Sequence, residues 1–351
     1  MKEHYDLMIV GQGIAGTLLH YELTKRGQNV LVIDKGHEEA ASAVASGLIN
    51  PITGRKYVKS WMFEELFPQV KETYEGIGKL LKSTFMKDHS IVRALSSIKE
   101  ENLWYSKSGL PSYEKYFVSE VDDNEYSDRI NGAVSFGEVR SGAKIDMRNL
   151  IASYREYLTT QNQLLAEQFI YDDLQKIEDD KWKYKSHTSD KIVFCEGWKL
   201  RQNPFFDKLG QEAAKGEVLI VKFFDMPITK SIKKKIFMMP FKDDLYWIGS
   251  TYEWEFENAQ PTSNKKQYLI DALDEMYIGK YEIVDHWAGV RPTTLDRRPL
   301  LGNHSQDKTM YVFNGLGTKG ASLAPFWAKQ MVAYLLDGAV LLDEVDLSRF
   351  S

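Results

Sequence analysis

At about 150 residues per domain, a chain of 351 residues holds roughly two domains. Hydrophobic residues make up 43% and charged residues 27%, which excludes a disordered or fibrous chain. The formal net charge is −5 and no basic block is longer than Lys233, Lys234 and Lys235, so a general nucleic-acid surface is not expected.

The first element is a short apolar strand over Tyr5 to Val10, which ends at Gly11; Ile14, Leu18 and Leu19 then recur at helical spacing until Gly27 stops the pattern. A second buried strand, NVLVID, ends on Asp34. Between strand and helix stands Gly11-Gln12-Gly13-Ile14-Ala15-Gly16, a G-x-G-x-x-G turn in the context that dinucleotide binding requires. Gly11 permits the tight turn, Gly13 lets a pyrophosphate approach the backbone, and Gly16 lets the helix pack against the sheet. Free N–H groups and the positive dipole end at the helix start attract the phosphates. Asp34 is placed to accept both hydroxyls of an adenosine ribose and would repel a 2′-phosphate. On these residues alone the cofactor is FAD or NAD.

Residues 41–61, ASAVASGLINPITGRKYVKSW, form a small-residue loop suited to covering a cofactor, where further βα units would be usual for an NAD dehydrogenase. The run QKIEDDKWKYKSHTSDKIVFCEGW reads as a three-stranded meander closing on a buried strand and Gly197. Its Cys195, the single cysteine, excludes an intramolecular disulfide and any multi-cysteine metal centre, and suits a reducing compartment. No cationic neighbour lowers its thiol pKa, so it is expected to pack in the core. The runs GEVLIVKFF, KIFMMPF and DLYWIGSTYEW predict an antiparallel sheet, with Lys233 to Lys235 as a solvated turn whose alternative role is a phosphate contact. The histidines show no metal-ligand spacing, and no metal is expected; His286 reads as a structural hydrogen-bonding residue rather than a base. No apolar run approaches the roughly 18 residues that span a bilayer, and no signal-peptide pattern is present, so a cytoplasmic protein without a membrane partner is expected.

The C-terminal runs HWAGVRPTTLDRRPLLG (286–302) and YVFNGLGTKGASLAPFWAKQMVAYLL (311–336) complete the pattern. With them the chain resembles the FAD-dependent amine oxidases and dehydrogenases of the D-amino acid oxidase superfamily, whose landmarks are matched in order from 5 to 336. In its glycine-rich run it is most similar to the oxidase domain of the bifunctional enzymes that modify 5-aminomethyl uridine at the tRNA wobble position.

The resemblance implies an α/β fold. A discontinuous Rossmann-like FAD-binding domain of glutathione-reductase type is expected from 1–80, 145–212 and 285–351, with a mostly antiparallel-sheet α+β substrate domain from 81–144 and 213–284. It implies FAD held without a covalent bond by Gly11, Gly13, Ile14, Ala15, Gly16, Asp34, Lys35, Ser42, Ser46, Gly47, Leu48, Gly197, Arg291, Gly315, Gly317, Thr318, Lys319 and Gly320. Thr318 and Lys319 stand where serine and arginine are usual, which keeps a hydroxyl and a charge. The glycine turn would open a helix from about Ser322 to Leu336, with N–H donors facing the N1 and C2-carbonyl edge of the flavin; Lys319 either adds to that charge or is solvated.

Arg291 is implied as the anchor of a substrate carboxylate, its alternative being a salt bridge to Asp296. Phe237 and Trp247 are implied near the substrate, Trp247 falling where some oxidases carry an oxygen-activating lysine. The activity implied is oxidation of the C–N bond of a small amino acid or secondary amine by hydride transfer to flavin N5, with no acid–base residue required. Two rivals stay open: a tRNA wobble-uridine side-chain oxidase, and a flavin-binding protein without catalysis. The amine, the electron acceptor and the oligomeric state are not readable.

Overall fold

The computed structural model describes residues 3–38, 40–118, 121–122, 124–177, 180–206, 209–225 and 228–350. In chain order the first segment runs β1 (Glu3–Val10), α1 (Ile14–Lys25), β2 (Val30–Ile33), α2 (Ala41–Val44), β3 (Leu48–Ile49), β4 (Ile52–Thr53), β5 (Val58–Lys59) and α3 (Phe63–Leu81). The chain then forms β6 (Met86–Leu95), α4 (Ile98–Ser108), α5 (Asn124–Ser127) and β7 (Ser135–Ile145). It returns through α6 (Met147–Thr160), β8 (Leu164–Leu165), β9 (Leu174–Lys176), β10 (Trp182–Tyr184) and β11 (His187–Phe194). A second excursion gives β12 (Gln211–Phe223), β13 (Ser231–Lys233), β14 (Phe237–Pro240), β15 (Leu245–Gly249), α7 (Ser263–Met276) and β16 (Tyr281–Thr294). The chain ends on β17 (Leu300–Asn303), β18 (Met310–Asn314) and α8 (Gly320–Asp337).

The first sheet has the order β17-β18-β11-β1-β2-β8, with β11, β1, β2, β8 and β18 parallel and the β9–β10 meander pairing onto β11. Its strands are apolar on both faces because both faces are covered. Leu7, Ile9, Val30, Val32 and Val193 pack with Leu18, Leu19, Trp327 and Met331 of α1 and α8, while Met8, Val10, Leu31 and Phe194 meet Phe169 and Trp182. Each such side chain removed from water contributes roughly 1.5–3 kcal/mol.

The second sheet has the order β16-β12-β15-β14-β13-β6-β7-β3 and is antiparallel except for the β13–β6 pair. The chain is therefore mixed α/β, a Rossmann-like parallel sheet beside a mostly antiparallel one, as the resemblance implied. Alternate residues of the second sheet divide cleanly. Val92, Leu219, Ile232, Met238 and Ile248 pack against Leu269, Leu273 and Met276 of α7. Val218, Phe237, Met239 and Trp247 face the other way, toward the cavity described next.

Candidate functional site

A cavity of about 450 Å³ runs from the carboxyl ends of β1, β2 and β11 to the inner face of the second sheet. Binding at the carboxyl ends of parallel strands is the usual location in such sheets.

At the nucleotide end, Gly11 has φ +100°, and a Cβ there would lie 2.5 Å from the Cys195 carbonyl oxygen. A Cβ on Gly16 would lie 1.9 Å from the Gly11 carbonyl oxygen, so both glycines serve backbone packing, and Gly16 does not line the cavity. Gly13 is different: its nearest neighbour would be Ser42 Oγ at 3.5 Å, and it opens onto the cavity as the N-cap of α1 with no side-chain bond. The Ile14 N–H donates to Ser42 Oγ at 3.1 Å, and Ala15 lies beside it on the wall. Cys195 is buried, and burial raises its thiol pKa, in keeping with a packing role.

Asp34 lies on the wall, but its carboxylate is largely engaged. Oδ2 accepts the Gln12 N–H at 2.8 Å; Oδ1 accepts the Gly36 N–H at 2.8 Å and Arg155 Nη1 at 2.7 Å. Three of about four acceptor positions are thus used and one is left open to the cavity. Arg155 was missed in the sequence because it comes from α6, 121 residues away. It also donates through Nη2 to the Asp34 carbonyl at 2.8 Å. The amphipathic face of α6, Leu150, Ile151, Tyr154 and Leu158, fixes the helix that presents it.

Lys35 and Gly197 line the same end, the Gly197 carbonyl accepting Gln211 Nε2 and Asn314 Nδ2 at 2.9 Å each. Glu196, equally unforeseen, is on the wall with its carboxyl bonded by Tyr171 Oη at 2.5 Å and Asn203 Nδ2 at 2.8 Å. Burial pushes its pKa up to about 7.

In the middle of the cavity stand Ser42, Ser46, Gly47 and Leu48. Gly47 has φ +69°, and a Cβ would strike the Ile145 carbonyl oxygen at 1.9 Å, so glycine is required where the loop crosses β7. Ser46 Oγ accepts the Leu48 N–H at 3.3 Å. Facing them is the second glycine-rich turn. Gly317, Thr318, Lys319 and Gly320 line the cavity, whereas Gly315 packs against Leu300 behind it. The Gly317 N–H donates to the Pro292 carbonyl at 2.8 Å, tying this turn to the strand of Arg291. Helix α8 starts at Gly320, two residues before its expected start, and Gly320 abuts Ile14, so the starts of α1 and α8 converge. Lys319 Nζ reaches Ser60 Oγ at 3.3 Å; burial, then Arg297 and Arg298, lower its pKa, so it is not a freely solvated cation.

At the far end, Arg291 lies across Gly216, and its Nη2 donates to Ser250 Oγ at 2.8 Å and the Thr251 carbonyl at 3.3 Å. Its Nη1 is buried with no bonding partner, and burial lowers its pKa. Among the described residues it has no carboxylate partner; the salt bridge considered for it is absent because Asp296 pairs with Arg349 at 2.8 Å. The Tyr252 ring lies 5.2 Å from its guanidinium carbon. Phe237 and Trp247 both line the cavity, and Trp247 Nε1 donates to the Val44 carbonyl at 2.9 Å, fixing α2. His286 lies 2.9 Å from the buried Glu217 and outside the cavity wall.

Lys235 is exposed, as expected of a solvated turn, whereas Lys233 departs from it. Lys233 ends β13, half-buried, its Nζ 4.6 Å from the Phe237 ring centre, while Lys234 donates to the Asn131 carbonyl and Lys235 pairs with Glu275 at 3.0 Å. Lys233 is drawn in because β13 pairs with β6 on one side and β14 on the other.

No helix among the described residues is long and apolar enough to cross a membrane. The glycine oxidase of Bacillus subtilis (strain 168) is 23% identical over 93% of this chain and 91% of its own. The tRNA 5-methylaminomethyl-2-thiouridine biosynthesis bifunctional protein MnmC of Campylobacter jejuni (strain RM1221) is 25% identical over 86% of this chain and 46% of its own length. A solved glycine oxidase from Bacillus cereus ATCC 14579 superposes with a TM-score of 0.80 at 18% identity, covering 96% of each chain, which shows the shared fold. The family described as FAD dependent oxidoreductase matches residues 6–335, and the chain belongs to it.

Proposed function

We propose that this oxidoreductase oxidises the C–N bond of an amino acid or secondary amine whose carboxylate is bound by Arg291. The observation that carries this reading is a guanidinium on the cavity wall with its Nη1 buried and unbonded and no acid partner among the described residues. A desolvated cation without a counter-ion is costly, and a carboxylate matches its planar pair of donors. Phe237 and Trp247 would flank the substrate and exclude water.

The cavity suits FAD: Gly13 leaves the α1 start open for a pyrophosphate, Asp34 keeps one acceptor site, and the α8 start with Lys319 offers positive charge at the opposite wall. Bound FAD supplies a two-electron acceptor for the amine. Arg291 fixes the orientation of the carbon to be oxidised, and no side chain needs to take a proton if the amine binds neutral. The match to MnmC supports a second reading, an amine carried on tRNA, for which binding should fall steeply with salt.

The test is anaerobic bleaching of the bound flavin with glycine, sarcosine, D-amino acids, proline, amines lacking a carboxylate, and modified tRNA. Reduction by carboxylate amines supports the reading. A flavin that stays oxidised with all of them refutes it and favours a binding protein without catalysis.

A further inference from the structure

We propose that the substrate carries a second anionic group, held by Lys233 and Arg93 on the same face of the second sheet as Arg291. This rests on the reading of Arg291 as a carboxylate anchor.

The register of the sheet places these groups. Arg93 of β6 is opposite Lys233 of β13, Lys233 is opposite Phe237 of β14, Phe237 is opposite Gly249 of β15, and Gly249 is opposite Val218 of β12. The alternating neighbours Val92, Ile232 and Met238 are in the α7 core, so Arg93, Lys233 and Phe237 share the cavity-side face. Phe237 lines the cavity, and the Lys233 ammonium sits 4.6 Å from the centre of its ring, one step beyond the wall.

The charges there do not balance. Lys233 Nζ donates to the Lys235 carbonyl at 2.8 Å and has no carboxylate partner among the described residues. Burial, then Arg93, depresses its pKa to about 8. Arg93 is 9% exposed with its Nε buried and unbonded. Its nearest acid, Glu100, is 3.8 Å away and already accepts Tyr57 Oη at 2.7 Å and the Ser96 N–H at 3.0 Å. A buried arginine with one weakly placed acid thus stands beside a half-buried lysine with none among the described residues, an arrangement that an anion would stabilise.

The spacing gives the substrate class. From Gly216, under the Arg291 guanidinium, to Lys233 is two residues along β12 and three strand-to-strand steps, roughly 15 Å at backbone level. Glycine and sarcosine are too short to touch both ends. The fitting substrate is an N-substituted amino acid whose substituent crosses Phe237 and ends in a carboxylate or a phosphate-type anion.

The experiment uses the FAD-loaded protein and a series of N-(carboxyalkyl)glycines with linkers of about two to eight methylenes, a length range set by that span. N-alkylglycines of equal length serve as neutral controls, and N-(phosphonoalkyl)glycines as the second arm. Anaerobic stopped-flow reduction gives an apparent Kd for each. At one linker length the anionic compound should bind at least about tenfold tighter than its neutral match. Lys233→Met should erase that gain while leaving flavin content and the N-alkylglycines unchanged, and Lys233→Arg should restore most of it. A larger gain with phosphonate than with carboxylate names phosphate as the source, and the reverse names carboxylate. No gain at any length, or a gain that survives Lys233→Met, overturns the proposal. Reduction by amines that is indifferent to the glycine carboxylate would overturn the Arg291 reading, and the second-anion site with it.

Discussion

At the end of the cavity beside β1 and β2 Asp34 meets Arg155 at 2.7 Å and the Glu196 carboxyl is bonded by Tyr171 and Asn203, whereas Arg291 at the far end and Lys233 beyond its wall have no acid partner among the described residues. One end satisfies its own polar groups and is preorganised. The other leaves positive charge unmatched. Groups that fix a scaffold pair with one another, whereas groups held back for a ligand carry an unmet bond at some energetic cost.

The contrast breaks most severely at Gly16. Gly16→Val places a side chain against the Gly11 carbonyl, so little folded, yellow protein should be recovered. Gly13→Leu, whose Cβ meets only Ser42 Oγ at an ordinary 3.5 Å contact, should instead give folded protein that lacks flavin. Absorbance near the flavin band, set against circular dichroism, separates the two outcomes.

At the substrate end, Arg291→Ala should raise the apparent Kd of a carboxylate amine by about 30-fold or more, equivalent to about 2 kcal/mol, with flavin content unchanged. Amines without a carboxylate should shift far less in the same anaerobic titration.

Glu196 sharpens the comparison through pH. Its folded pKa is raised to about 7, so the stability it contributes is present while it is protonated, fully so below its unfolded value, and is lost as pH rises through about 7. The apoprotein should therefore lose up to about 1.4 kcal/mol per pH unit between the ordinary carboxyl value of 4.5 and about pH 7, and little beyond it. Urea midpoints across that range should flatten in Glu196→Gln.

Arg155→Met should weaken FAD binding about tenfold by releasing Asp34, with no change in the ratio of carboxylate to neutral substrates. The smallest effect is expected for Lys319→Met: slower flavin reduction and weaker sulfite binding, each by less than about tenfold, because the α8 start still offers its N–H groups. Equal values in mutant and wild type would remove Lys319 from the site.

The two ends were also unequally legible. Gly11, Gly13, Gly16 and Asp34 lie within 24 residues and signal through local pattern, since a strand, a turn and a helix must follow one another. Arg155 and Glu196 gave no such signal: an arginine on a helix face and an acid after a strand look ordinary until α6 and β11 are placed beside β1. The family resemblance supplied Arg291, Phe237 and Lys319, but not which partners they lack. Lys233 departs from the solvated turn expected of the three lysines because a run of lysines looks alike whether or not strands close around one of them.

By itself the sequence determined the βαβ start, the glycine positions and the alternation of the later strands, because these follow from backbone sterics and side-chain period over a few residues. Only the tertiary structure decided the strand order β16-β12-β15-β14-β13-β6-β7-β3, and with it which cations share a face and which stay unpaired. Those outcomes depend on contacts between residues more than a hundred positions apart, such as Arg93 beside Lys233, and no local preference specifies them.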